Sequence, residues 1–429
     1  MTGGHGSLAF PHGHDVFRPV PRTGVIYVMN AARELGFEYG DPSWANLGQG
    51  APEAGVLPGA PPRLEAVSLH TTTYEYSPVL GRTDLREAVA DLYNHRYRRG
   101  RASRYTAENV AIAGGGRLSL SRLAAALGQT HLGHFLPDYT AYEELLDLFA
   151  RFSTIPIPLD PERGYAFSAD ELRTEIVGRG LGAVLLSNPS NPTGALVHGD
   201  RLAKWVATAR ELETFLLFDE YYSNYVWAPD AAAHGSVSAA AHVDDVDRDP
   251  IVILDGLTKN WRYPGMRIGW TLAPRRIIEA VSSVGSFLDG GAAHPLQEAA
   301  IPLLAPAVAD AEAEAIRAVF REKRDYMITR LVRMGLHVDA APMGAFYVWA
   351  SVRHLPEPLR SDMGFFRAAL ERKVITVPGR FFDINPGQRR SEQRSRFGCH
   401  VRFSFGPERA TLVRGLDALE AMIAEARAR

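Results

Sequence analysis

Short apolar runs that stop abruptly at polar turn residues recur along this chain, and the clearest is Ile251-Val-Ile-Leu254, closed by Asp255-Gly256. Val110-Ala-Ile-Ala113, Gly133-His-Phe-Leu136, Leu181 to Leu186 and Phe215-Leu-Leu-Phe218 have the same form, and each reads as a buried strand. Helical periodicity fills the spaces between them. Val25, Val28, Met29, Ala32 and Leu35 share a face between Thr23 and Phe37, and Leu118, Leu120, Leu123 and Leu127 follow the Gly114-Gly-Gly116 turn. Asp84 stands where it can cap an amphipathic helix starting near Leu85. Strand, glycine turn and helix in succession suit an open α/β sheet, which binds ligands beyond the carboxyl ends of its strands.

The pattern divides the chain. Residues 1–22 are Gly-, His- and Pro-rich and read as a flexible arm. Residues 23–45 form an N-terminal segment expected to pack with a small domain, and 46–320 a large domain. Residues 321–429 form the small one, because from Leu336 onward short strands interleave with a helix at Met363 to Lys373 and a final helix. A helical region from Leu296 to Leu331 is expected to link the two. Residues 228–250 read as a surface excursion, and Gly285 to Pro295 as a flexible turn.

Composition narrows the partners. The 429 residues are 46% hydrophobic and 22% charged with a formal net charge of −2. That balance offers no field to gather nucleic acid or a membrane surface, so a small molecule is the expected partner. Cys399 is the single cysteine, which excludes an internal disulfide framework and a cysteine-rich metal site and suits the cytoplasm. No metal site is assigned; His5, His12 and His14 of the arm could bind one or merely decorate a tail. The first residues lack the pattern of a signal peptide, and no apolar run approaches a membrane span.

Chemistry gathers at the strand ends. Lys259 lies just past the run at 251–254, and Arg267 lies between Gly265 and Gly269; a lysine there can form an imine and the arginine can hold a phosphate. The Gly114-Gly115-Gly116-Arg117 turn points fresh helix N–H groups at an anion. Asp219 follows four apolar residues, where a carboxylate is costly unless a cation such as a protonated pyridine nitrogen meets it. Tyr139 could stack on a flat ring or serve the core. Asn191, inside Asn188-Pro-Ser-Asn-Pro-Thr-Gly194, is placed to donate a hydrogen bond. The turn at Gly50 could present backbone N–H groups to a carboxylate. Arg402, in a strand, reads as a surface ion pair or as a carboxylate clamp.

In this order the residues closely resemble the fold type I, class I/II aminotransferases, over roughly residues 23 to 429. Three motifs carry the likeness: Asn188-Pro-x-Asn191-Pro-Thr-Gly194, Asp219-Glu-x-Tyr222, and Lys259 with Arg267 at the family's spacing. The resemblance implies an aspartate aminotransferase-like α/β fold: a mostly parallel sheet of seven-stranded type flanked by helices, plus the smaller α+β domain. It implies pyridoxal 5′-phosphate as cofactor, an amino acid substrate, and a homodimer with shared active sites. Lys259 would carry the cofactor as an imine and then move the Cα proton, and Asp219 would keep the ring nitrogen protonated. Tyr139 would stack on the ring, and Asn191 and Tyr222 would bond its phenolic oxygen. Gly115, Gly116, Arg117, Thr258, Arg267 and the neighbouring subunit's Tyr76 would surround the phosphate. Arg402, beside Gly50 and Asn191, would grip the substrate carboxylate.

Two departures stand out. Thr258 replaces the family's usual serine and keeps a hydroxyl. Arg262 stands where the family carries a small or apolar residue; with Arg117 and Arg82 it either pairs with acids or meets a substrate carrying extra negative charge. The implied reaction, through an external aldimine and a quinonoid, is transamination between an amino acid and a 2-oxo acid. The same residues would serve elimination, substitution, carbon–carbon bond formation or oxidation on this scaffold. A non-catalytic module fits poorly with Lys259 and Asp219 both present.

Overall fold

The computed structural model describes residues 24–149, 151–228, 235–388 and 395–429. The arm, with its three histidines, and residues 229–234 therefore lie outside the described residues. Seven strands form the main sheet: β1 (Val110–Ala113), β2 (His131–Leu136), β3 (Ser153–Pro158), β4 (Leu181–Ser187), β5 (Phe215–Asp219), β6 (Ile251–Gly256) and β7 (Gly269–Leu272). Their order is β1-β7-β6-β5-β4-β2-β3. Only β7 runs antiparallel to its neighbours β1 and β6; the other pairings are parallel. All six residues of β6 are buried, as a strand covered on both faces requires, and this is why its sequence is apolar without alternation. The strand β3, with Pro156 and Pro158, escaped the apolar-run criterion. It occupies the sheet edge, where a missing N–H costs no ladder bond.

Parallel register brings the chemistry to one side. Ser187 pairs with Asp219, and Asp219 with Leu254, so β4 and β5 end level and β6 runs two residues farther, to Gly256. The polar loops that follow them converge there.

A second sheet of four antiparallel strands is ordered Val377–Pro378, His400–Ser404, Tyr347–Ser351, His337–Val338. Arg402 pairs with Trp349 on one side and Val377 on the other. The helix Gly24–Glu34 buries Val28, Met29 and Ala32 in the same apolar cluster as Phe365, Phe403 and Leu416, with Tyr27 set against the rings of Phe366 and Phe381. Ala45–Asn46 then pairs in parallel with Val374–Ile375. The helix Pro306–Arg333 touches two apolar clusters: Ala309 packs in the one that holds Val110, Leu216 and Ile253 of the main sheet, and Ile316, Phe320, Met327 and Leu331 in the one that holds Leu217 and Val252 of that sheet together with Phe403 of the second sheet.

Four local expectations are corrected. The helical region from Leu296 is interrupted, because Pro302 and Pro306 lack the N–H a continuous helix needs; His294–Ala300, a 3₁₀ turn at Ile301–Leu304 and Pro306–Arg333 are separate elements. The stretch after residue 234 is no surface excursion, since Val237, Ala239, Ala240, Val243 and Val246 are buried in the core. Gly285 lies inside the helix Arg275–Leu288, where a side chain would collide with the Arg122 guanidinium; that guanidinium pairs with Asp289 in a nearly dry site. Asp84 is in the first turn of the helix Thr83–Tyr97 rather than at its cap, and it accepts from Leu85 N and from Arg82. Among the described residues no helix is long and apolar enough to cross a membrane.

Candidate active site

A cavity of about 380 Å³ opens at the ends of β4, β5 and β6. Gly50, Gly116, Arg117, Tyr139, Asn191, Asp219, Tyr222, Thr258, Lys259 and Arg267 line it, as do Gln49, Tyr221 and Leu254. Among the described residues no group of three or more His, Cys, Asp or Glu is placed to hold a metal.

Lys259 sits in the single-turn helix Leu257–Asn260 that leaves β6 directly. Its Nζ donates to the carbonyl of Gly50. Burial pushes the amine down to about 7, the cations of Arg402, Arg267 and Arg117 push the same way, and Asp219 opposes them. Asp219 is moved in the other sense: burial lifts its carboxyl to about 6, against hydrogen bonds from Tyr142 and Tyr221 N and the charge of Lys259. The Tyr142 hydroxyl donates to Asp219 Oδ2 at 2.8 Å, and its ring meets Tyr139 edge to face. An amine and an acid, each drawn toward neutrality, thus share one cavity wall.

The anion end is built from backbone. Gly115 precedes the helix Gly116–Ala126 with φ +93°, and a Cβ there would strike the Arg267 guanidinium. A side chain at Gly116 would enter the Tyr221 ring, and one at Gly269 would strike the Tyr221 hydroxyl. Glycine is therefore needed at 115 for both its dihedral and its clearance. Arg267 Nη1 lies 3.4 Å from Thr258 Oγ1 and 3.1 Å from the Pro264 carbonyl. An unpaired helix N-terminus with an exposed arginine and a threonine hydroxyl beside it suits a phosphate.

At the opposite end, Arg402 is buried, which removes the surface ion pair as its role. Nη1 donates to Asn191 Oδ1 at 2.7 Å and Nη2 to the Gly48 carbonyl at 2.6 Å. Its Nε is buried without a partner, and the rings of Tyr347 and Phe382 lie 4.2 and 4.9 Å from the guanidinium carbon. Asn191 Nδ2 is 3.5 Å from the Tyr222 hydroxyl, which meets the Tyr347 hydroxyl at 2.8 Å.

A flat ring carrying a phosphate and an aldehyde fits this arrangement. Its phosphate would meet the glycine turn, its ring Tyr139 and Asp219, and its aldehyde Lys259. The family model for class I and II aminotransferases matches residues 42–419. The chain belongs to this family. The aspartate/prephenate aminotransferase of Thermus thermophilus is 27% identical over 356 residues, 82% of this chain and 84% of that protein. The valine–pyruvate aminotransferase of Mycobacterium tuberculosis is 28% identical over 396 residues, covering 90% and 93%. A solved aspartate aminotransferase of Thermus thermophilus with maleate shares the fold at TM-score 0.75 and 23% identity, covering 95% of this chain and all of that one. As a class I/II aminotransferase the chain is a pyridoxal phosphate-dependent enzyme.

Not every expected site residue reaches the cavity. Arg262 does not line it: the side chain is fully buried and turned away, paired with Glu312 and bonded to main-chain carbonyls, so the expectation that it binds substrate is corrected. Gly115 stands just behind the wall, and Arg402 reaches it through Asn191. Tyr76 is 99% exposed and belongs to no wall of this chain's cavity. Gly50 lines the cavity, but its engaged group is the carbonyl on Lys259 rather than an N–H. Tyr142 and Tyr347 went unassigned in the sequence. The spacing of Tyr139 and Tyr142 across one turn was a readable signal for the first; Tyr347 had none, since only strand pairing places it.

An amine with a pKa near 7 reacts with aldehydes at neutral pH, whereas an ordinary lysine does so only in alkali. The rate at which apoprotein takes up pyridoxal phosphate should fall about tenfold between pH 8 and pH 6 and level off above pH 8. Lys259→Ala should leave no borohydride-fixed cofactor. A rate still climbing tenfold per unit above pH 8 would refute the depressed amine.

Proposed function

We propose that this enzyme moves an amino group between an amino acid and a 2-oxo acid, with Lys259 as the group that carries the Cα proton. The observation that carries the reading is the pairing of a near-neutral Lys259 with a buried Asp219 across one cavity. Bound there, pyridoxal phosphate would supply an aldehyde for the amino group and a ring that accepts the electrons released at Cα. Lys259, as a neutral amine, takes and returns a proton near its operating pH. Asp219, held by Tyr142, keeps the ring nitrogen protonated. Asn191 and Tyr222 would hydrogen-bond the ring's phenolic oxygen, and Tyr139 would stack on the ring. The main-chain N–H groups of Gly116 and Arg117 hold the phosphate together with the side chains of Thr258 and Arg267, with Gly115 providing the turn, so the Arg117 guanidinium is left free. Arg402, whose Nε lacks a partner, clamps the α-carboxylate.

Arg117 supports a dicarboxylic substrate class. Its exposed guanidinium stands at the cavity, 3.5 Å from the Tyr139 hydroxyl, with charge to spare for a second carboxylate. Relatives named for aspartate support a dicarboxylic substrate or co-substrate. A second copy of the chain completes the site in this reading. Leu69, Tyr74, Tyr76 and Phe287 are large side chains exposed by 64 to 99%, and a partner packed over the Leu69–Tyr76 segment would cover three of them. The partner's Tyr76 would then reach the phosphate.

Three outcomes test these statements. Holoenzyme mixed with a panel of amino acids should pass into the pyridoxamine form and release a 2-oxo acid; turnover with neither product would place the reaction among the eliminations, substitutions, carbon–carbon bond formations or oxidations of the same scaffold. Arg117→Leu should raise KM for a dicarboxylic amino acid by about tenfold or more while leaving a monocarboxylic one nearly unchanged; an equal effect on both would remove the second-carboxylate role. Mixing inactive Lys259→Ala chains with impaired Tyr76→Ala chains should restore activity through hybrid dimers, and a fully active monomer would be incompatible with shared sites.

A further inference from the structure

Arg262 is the residue of the lysine-bearing turn that the cofactor leaves unexplained, and its surroundings are specific. It adopts φ +57°, a left-handed conformation unfavourable for a bulky side chain. Its backbone closes the turn, with Arg262 N donating to the Lys259 carbonyl at 3.0 Å. Its guanidinium makes four hydrogen bonds: Nε and Nη2 reach Glu312 at 2.7 and 3.3 Å, and Nη1 reaches the carbonyls of Glu53 and Gly55 at 3.0 and 2.6 Å. Glu312 lies on the helix Pro306–Arg333, and from the same helix Lys323 pairs with the Glu53 carboxylate.

The segment from Gly48 to Gly55 is thus a strap whose carbonyls face cations. Gly48 accepts from Arg402, Gly50 from Lys259, and Glu53 and Gly55 from Arg262. Gln49, Gly50 and Ala51 form the cavity wall between these anchors. We infer that Arg262 is a positioning residue: by tying the strap to the Lys259 turn and to Glu312, it sets how closely the Gln49–Ala51 wall stands over the lysine, and so how tightly substrate is held. A buried guanidinium suits this because a carboxylate and two carbonyls from different elements fix it at once; a lysine ammonium cannot span the same three acceptors in one plane. Its effect on substrate rests on the aminotransferase reading, but its effect on the strap does not.

Arg262→Gly isolates the guanidinium, since glycine accepts the left-handed dihedral freely. In the holoenzyme, amide hydrogen exchange across residues 47–56 should quicken by about tenfold or more while that of β6 stays as in the wild type. KM for the amino acid should rise about tenfold, with kcat changed less than about threefold. Arg262→Lys should fall between the two on both measures. Exchange across 47–56 indistinguishable from the wild type in Arg262→Gly would overturn the inference, whatever the activity. If that variant does not fold, Arg262→Lys decides alone: accelerated exchange confined to the strap supports the role, and unchanged exchange overturns it.

Discussion

A lysine amine buried in the cavity wall is the constraint on which the site depends. Desolvation alone disfavours its charge, and three arginines around it add to that. Such a group is tolerable only because two neighbours partly offset the cost. The Gly50 carbonyl accepts from its Nζ, and Asp219 stands opposite. Each of these needs its own support: Asp219 the end of a buried strand and the Tyr142 hydroxyl, Gly50 a strap held at both ends.

The parallel sheet supplies the precision. Because β4 and β5 end level and β6 ends two residues beyond them at the same edge, the side chains of Ser187 and Asp219 and the turn after Gly256 face one space without any long loop having to place them. The antiparallel β7 returns Arg267 and Gly269 to the same end, and Gly256 pairs directly with Gly269. Two glycines abreast leave room for the Tyr221 ring, which underlies Gly116. The phosphate end of the cavity is therefore a packing consequence of small residues on three elements.

Charge is distributed by the same logic. Arg402 and Arg262 are buried and multiply bonded to carbonyls and acids of this chain, whereas Arg117 and Arg267 remain exposed at the cavity. The buried Arg262 guanidinium, matched by Glu312 and two carbonyls, acts as a rivet, whereas the unpartnered Nε of Arg402 and the exposed Arg117 and Arg267 retain capacity for an anionic ligand.

Much of this was legible before any coordinates. Strands whose both faces are covered must be apolar throughout, so β1, β2, β4, β5 and β6 announced themselves, and the residue types needed by an aldehyde cofactor stood at their ends: Lys259, Asp219, Asn191, the glycine turn and Arg267. Elements whose stability comes from neighbours did not: β3 carries two prolines that only an edge position allows, and the stretch 235–250 is buried by packing that its composition does not reveal. The same division runs through the site. Local pattern marked which residues would line the cavity, because Lys259, Asp219, Asn191 and the glycine turn each stand at a turn or strand end. Whether Arg262 faces substrate or structure was decided only by tertiary contacts, since a guanidinium's role depends on which acceptors lie within its reach, and Glu312 and Glu53 come from chain 50 and 209 residues away.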